Sequence, residues 1–273
     1  MTFNERIRTI QKRKRSLLCV GLDPDIAKIP PFLRRRPNAI LEFNKRIISA
    51  TSDLVCAYKL NLAFYEAHGK QGWAALEKTL ELIPGSILKI GDGKRGDIGN
   101  TAEMYARALF DGLGFDAVTV NPYMGTDSVM PFLENPKKGA FILALTSNPG
   151  AKEFQNLKSG GRPLHEHVIA AARRWSGREN CGLVIGATRP AELKRLRPLA
   201  PQLPFLIPGI GAQGGDLRAA VRHGCTADGD LAIINVGRSI LYASQGKDFD
   251  ADARREAGNI RATMEEYRNM YFS

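Results

Sequence analysis

Between Ser16 and Ser239 the chain carries eight short β-branched or apolar runs, each closed by turn residues: 16–23, 53–61, 86–94, 116–122, 139–147, 181–188, 204–211 and 231–239. The runs are almost continuously apolar rather than alternating, as expected of strands buried on both faces of a parallel sheet. Helical patterns separate them, at 37–52, 72–83, 100–113, 163–175, 190–198 and 214–224, with a long last one at 250–271. Six or fewer such units would suit an open sheet; eight, ending in a helix, predict an α/β chain closed into a (β/α)8 TIM barrel. The 273 residues are close to the ~250 typical of that fold. No linker breaks the pattern, so one domain spanning 1–273 is expected, with a basic amino-terminal helix and an insertion at about 148–180 between the fifth and sixth strands. Asn100 and Glu103 have the spacing of a helix N-cap and its reciprocal partner.

Composition narrows the class. Cys19, Cys56, Cys181 and Cys225 are far apart and form no CxxC pair, which predicts buried free thiols and a reducing, cytoplasmic setting. The opening residues lack the apolar stretch of a signal peptide, and no window approaches the ~18 apolar residues of a membrane span. The net charge of +11 gathers at Lys12 to Arg15 and Arg34 to Arg36. Without aromatic platforms or a binding-module signature these clusters read as solvated faces rather than a nucleic-acid surface, although a positive field helps collect small anions.

A barrel places its chemistry at the C-terminal ends of its strands. Asp23, Lys59, Asn61, Asp92, Lys94, Asn121, Ser147, Thr188 and Arg238 all fall there. Asp92 and Lys94 are two apart on one strand and so point to one face. With Lys59 on the neighbouring strand and Asp97 just beyond, they can form an alternating chain of lysine, aspartate, lysine and aspartate. For any one pair a structural ion pair is the plainer reading; four such charges at one barrel end point to a site. "IPGIGAQGGD" (207–216) and "NVGRS" (235–239) follow the seventh and eighth strands, where barrels bind phosphate, and Arg238 can add a bidentate contact. "LTSNPGA" (145–151) reads equally as a ligand-binding edge, through Ser147, or as a plain turn. No GxSxG elbow is present, and His165 and His167 lie on different faces of one predicted helix, which leaves them as surface residues rather than a metal pair.

Taken together, "CVGLDPD", "AYKLNLAFYE", "DGKRGDIGNT", "VNPYMGTDSV", "LTSNPGA", "PGIGAQGGD" and "NVGRS" resemble the motifs of the orotidine 5′-phosphate decarboxylase family in its longer bacterial form, from about Cys19 to Ser239. The resemblance implies a carboxy-lyase that makes UMP from orotidine 5′-phosphate in pyrimidine biosynthesis with neither metal nor organic cofactor. It implies Lys94 as proton donor to C6, Asp92 beside the departing carboxylate, and Lys59 and Asp97 completing the charge network. Asp23 and Lys59 would contact the ribose, Ser147 the pyrimidine edge, and Gln213, Gly237 and Arg238 the phosphate, with Pro208 in the same substrate-binding set. Asp97 and Thr101 would reach into a partner's site, which implies a homodimer. The Asp-x-Lys-x-x-Asp pattern is shared with Mg²⁺-dependent sugar-phosphate decarboxylases and aldolases of the same suprafamily, the alternative reading; a cation at Lys59 would oppose their metal.

Overall fold

The computed structural model describes every residue except Arg189, Ala212, Gln213 and Ser273. Eight parallel strands close in sequential order: β1 (Leu18–Gly21), β2 (Ala57–Asn61), β3 (Leu88–Arg95), β4 (Ala117–Val120), β5 (Gly139–Leu145), β6 (Cys181–Ile185), β7 (Phe205–Pro208) and β8 (Ala232–Val236), with β1 paired to both β2 and β8. Most are shorter than the apolar runs that predict them, because the run ends leave the ladder to form the loops that carry polar residues.

Two separate clusters explain why the runs are continuously apolar. Cys19, Ala57, Leu88, Ile90, Ala117, Phe141, Val184, Leu206 and Ile233 fill the barrel interior. Their chain neighbours Leu18, Val20, Tyr58, Val118, Ile142, Leu183, Ile207 and Ile234 belong to the layer between strands and helices. Period-two alternation thus persists, but both faces are apolar. Each such side chain contributes about 1.5–3 kcal/mol on burial. All four cysteines are free and buried, and burial pushes the thiols of Cys56, Cys181 and Cys225 up to about 12, so none is a ready nucleophile.

Helix α1 (Phe3–Lys14) closes the N-terminal end of the barrel. A capping box starts it, Thr2 taking the Glu5 N–H while the Glu5 carboxylate takes that of Thr2. Phe3, Ile7 and Ile10 enter the interior cluster. Gln11 accepts from the N–H of Leu231 (2.9 Å) and donates to the carbonyl of Ala232 (2.7 Å), while Arg6 pairs with Asp116 (2.6 Å) and Arg8 with Asp230 (3.1 Å). The basic cluster that ends the helix is part of this floor: Arg13 donates to the Ser86 carbonyl, Lys14 to that of Ser52, and Arg15 pairs with Glu265. A methyl group added at Gly139 would run into the Phe3 ring. Gly139→Ala should therefore destabilise the fold by about 1–3 kcal/mol, measured by denaturant titration, with the turnover of the folded fraction unchanged.

The outer layer contains α2 (Ala39–Thr51), α3 (Gly69–Leu82), α4 (Gly99–Arg107), α5 (Leu164–Trp175), α6 (Pro190–Leu196), α7 (Leu217–Gly224) and α8 (Phe249–Phe272). The Asn100–Glu103 cap does not form. Gly99, at φ +52°, turns the chain directly into α4 after Ile98, so Asn100 is already within the first turn. The segment between β5 and β6 holds a helical turn at Ala151–Phe154, a hairpin pairing Lys158–Ser159 with Arg162–Pro163, and α5. His165 is buried rather than superficial: Nδ1 lies 2.8 Å from the Gln155 carbonyl, and Nε2 lies 2.7 Å from the Arg195 guanidinium. His167, two residues on, is half-buried and bonds the Ser159 carbonyl. Periodicity separates the two faces, but packing decides which one turns inward. Among the described residues no helix is long and apolar enough to cross a membrane.

Candidate active site

Moving up the barrel, the inward positions change chemistry within one strand rung. Lys59 follows Ala57, Asp92 follows Ile90, Thr119 follows Ala117, and Asn235 follows Ile233, each two residues on and therefore on the same face. They line a cleft of about 630 Å³ at the C-terminal end, floored by Leu143, Val184 and Leu206, with Ser147, Thr188, Gly237 and Arg238 also in its lining.

Four charges alternate across this cleft. The Asp23 carboxylate lies 3.6 Å from Lys59 Nζ, which lies 2.9 Å from Asp92 Oδ2; Asp92 Oδ1 in turn lies 2.6 Å from Lys94 Nζ. Lys59 is only 4% exposed, whereas the Lys94 side chain is 46% exposed and presents its ammonium to the cleft. Burial alone would drive Lys59 toward its neutral form, but the carboxylates of Asp23 and Asp92 outweigh it and hold the ammonium above the usual lysine range. Burial would likewise raise Asp92, and Lys59 and Lys94 overcome it, holding the carboxyl well below its usual range. Asp92 and Lys59 are thus charged across the neutral range.

Within one protomer the chain of charges runs from Asp23 to Lys94. Asp97 touches neither lysine; its carboxylate accepts the N–H of Ile98. Asp23 stands at the other end, beside Lys59, held by the Asn61 N–H at 3.1 Å. The reason is topological: β1 and β2 are neighbours, so the end of β1 approaches Lys59, whereas the turn after β3 carries Asp97 outward. Strand alternation alone does not bring Asp92 and Lys94 together. The β3–β4 register shifts between Gly91 and Arg95, and Lys94 adopts φ +47°. This left-handed backbone costs roughly 1–3 kcal/mol for a residue with a Cβ. It is the bulge, rather than strand alternation, that folds the ammonium back onto Asp92.

At the opposite wall, Ser147 Oγ is buried, has no hydrogen-bond partner among the described residues, and lies in the cleft lining. Gly186 makes room for it, since a methyl group there would collide with that oxygen. Pro208 ends β7, and Gly209 and Gly211 follow at φ +106° and +79°, conformations open to glycine. Gly237 precedes the helical turn begun by Arg238, an exposed residue on the rim. Gln213 lies outside the described residues. Thr101 is exposed in the first turn of α4 and, like Asp97, does not line the cleft of its own chain. Sequence reasoning missed Thr119, Asn235 and Tyr242. Thr119 and Asn235 were visible as polar residues inside apolar runs. Tyr242, whose hydroxyl accepts from the Asp25 N–H (2.8 Å) and donates to the Asp23 carbonyl (3.0 Å), had no local signal, because its partners are more than two hundred residues away.

Residues 16–249 match the family model described as Orotidine 5′-phosphate decarboxylase / HUMPS family, a span covering most of the chain and every barrel strand. The chain belongs to this family. Among its relatives, orotidine 5′-phosphate decarboxylase from Dehalococcoides mccartyi is 51% identical over 275 residues, covering 99% of this chain and 100% of the relative. The Herpetosiphon aurantiacus enzyme of the same name is 51% identical over 257 residues, 93% of this chain and 95% of that one. The solved structure of Leishmania donovani OMP decarboxylase, 40% identical, superposes with a TM-score of 0.88 over 98% of this chain and 100% of its own. Membership makes the chain a carboxy-lyase on a TIM barrel. The charged quartet and the glycine-rich rim lie inside the matched span.

Proposed function

We propose that this chain converts orotidine 5′-phosphate to UMP and CO₂ without metal or organic cofactor, with Lys94 as the proton donor to C6. The observation that carries the reading is the charge chain from Asp23 through Lys59 and Asp92 to an ammonium in the cleft. When the C6–carboxylate bond breaks, its electron pair stays on a ring carbon with no adjacent cofactor to delocalise it. A fixed cation aimed at that carbon stabilises the charge as it forms, in a site already oriented before reaction. Lys94 then gives one proton to C6 and regains one from solvent. Asp92 directs the Lys94 ammonium, and its own negative charge would lie beside the departing carboxylate. Asp23 and Lys59 would receive the ribose hydroxyls, and the unpartnered Ser147 Oγ the pyrimidine edge. Pro208, Gln213, Gly237 and Arg238 would hold the phosphate.

Asp97 and Thr101 fit a shared-site homodimer better than a role within one chain. Around them Ile98, Met104, Tyr105, Tyr123 and Met124 expose apolar side chains, Tyr123 to 85%, as a surface meant to be covered does. The whole chain would act as one barrel domain in each protomer. A Mg²⁺-dependent sugar-phosphate enzyme is the second reading, since the family description also names HUMPS. Lys59 Nζ lies within 3.6 Å of one carboxylate and 2.9 Å of the other, a position of positive charge that disfavours a divalent cation beside it.

The test is UMP formation from orotidine 5′-phosphate by purified protein in excess EDTA. Turnover in EDTA supports the proposal; a folded protein that is inactive on the nucleotide but processes a sugar phosphate once Mg²⁺ is supplied transfers the assignment to the second reading. The phosphate role of Arg238 makes a separate prediction. Arg238→Ala should lose about 10²-fold in kcat/KM on the nucleotide and little on the corresponding nucleoside, because remote binding energy helps organise the reacting end. Equal proportional losses on both substrates would remove Arg238 from that role.

A further inference from the structure

We propose that Thr119 is a positioning residue for the reaction, holding Asp92 and Lys94 in register through a single hydroxyl; the inference rests on the decarboxylase reading above. Thr119 lies on β4, 1% exposed, at the edge of the cleft. Its Oγ1 donates to Asp92 Oδ1 at 3.0 Å and accepts the backbone N–H of Lys94 at 2.9 Å. The same Asp92 oxygen receives Lys94 Nζ at 2.6 Å. The hydrogen bonds therefore close a ring: from Lys94 N–H to Thr119, from Thr119 to Asp92, and from the Lys94 ammonium back to Asp92. Lys94 is fixed at both its backbone and its head group.

The strand pairing explains why a side chain is needed. Gly91 pairs with Val118 and Arg95 with Val120, so the three residues Asp92, Gly93 and Lys94 stand opposite Thr119 alone. A bulge of this kind breaks the regular ladder, and the left-handed backbone at Lys94 turns its N–H toward β4. There the threonine hydroxyl serves as acceptor in place of a main-chain carbonyl. A hydroxyl can accept from one group and donate to another; valine has the same shape and can do neither. In the valine variant the Asp92–Lys94 ion pair would remain, but its orientation relative to the substrate carbon would loosen. An error of ~1 Å at a reacting group can cost about 10²-fold in rate.

The experiment compares wild type with Thr119→Val, Thr119→Ala and Thr119→Ser in steady-state decarboxylation of orotidine 5′-phosphate. The expected result is a kcat reduced roughly 10- to 10²-fold in Val and Ala with KM within about threefold of wild type, and recovery to within about threefold in Ser, which restores the hydroxyl. Alanine keeps the test open if the valine variant does not fold, because it removes the hydroxyl without requiring a second methyl group to fit. The proposal is overturned if the variants lacking the hydroxyl keep kcat within about threefold, if the loss lies entirely in KM, or if serine is as impaired as valine. Inactive wild type would instead overturn the decarboxylase reading, so the two failures are distinct.

Discussion

Lys59→Met will lower folding stability by about 3–5 kcal/mol and abolish turnover, the largest combined effect expected of any single change in this barrel. The ammonium is buried between Asp23 and Asp92, and a methionine of similar length leaves both carboxylates facing an uncharged side chain. Asp92 keeps Lys94 and Thr119, and Asp23 keeps the Asn61 N–H, but the two negative charges lose the cation that screens them from each other. The pH dependence identifies the mechanism. Asp92 is held below its unfolded value, so its contribution is present above ~4 and is lost as pH falls through the folded value. Lys59 is held above its unfolded value, so its contribution is complete below ~10.4 and is lost as pH rises through the folded value. The difference between wild type and variant should therefore be flat from about pH 5 to 9 and shrink toward pH 3, where the carboxylates that Lys59 screened take up protons. Urea titrations at pH 7 and pH 3.5 measure it. An equal deficit at both values would mean that lost packing, rather than lost charge, sets the cost.

Lys94→Ala should have the complementary signature: turnover reduced by at least about 10⁴-fold, with stability within about 1 kcal/mol of wild type. Its side chain is nearly half exposed, and its removal leaves Asp92 still paired with Lys59 and bonded to Thr119, so no buried charge is stranded. The rate loss combines two effects that act only in the transition state, stabilisation of the charge at C6 and delivery of the proton. Single-turnover measurement of UMP formation, beside a thermal melt, separates chemistry from folding. Retention of turnover within about tenfold would remove Lys94 from the role of proton donor. These outcomes together would divide the quartet into a buried member that supports the fold and an accessible member that performs the chemistry.

How far these roles were legible in the sequence differs from residue to residue. Lys59, Asp92, Lys94 and Arg238 could be located without coordinates, because a charge at the end of an apolar run in a parallel barrel has to lie at the mouth. Asp97 was read as a member of the charge network and within its own chain meets neither lysine, and Asp23 was assigned only to substrate. Nothing local shows that the ends of β1 and β2 are adjacent, which is what brings Asp23 to Lys59. Thr119 showed as a polar residue in an apolar run and Tyr242 gave no local signal, but the partners of both lie on another strand or loop, which only the fold brings near. His165 was read as superficial because helical spacing separates two faces without saying which of them meets the barrel.

By itself the sequence determined the number and order of the strands, the helices between them, and the end of the barrel at which chemistry can occur. These follow from hydrophobic periodicity and from the cost of burying charge, both of which act along the chain. The tertiary structure decided which charges meet. Barrel closure sets neighbours that are far apart in sequence, and the bulge in β3, with Lys94 in a left-handed conformation, aims the ammonium. Ion pairs and hydrogen bonds depend on separations of a few tenths of an ångström, and those are set only when all eight strands and the floor helix are packed together.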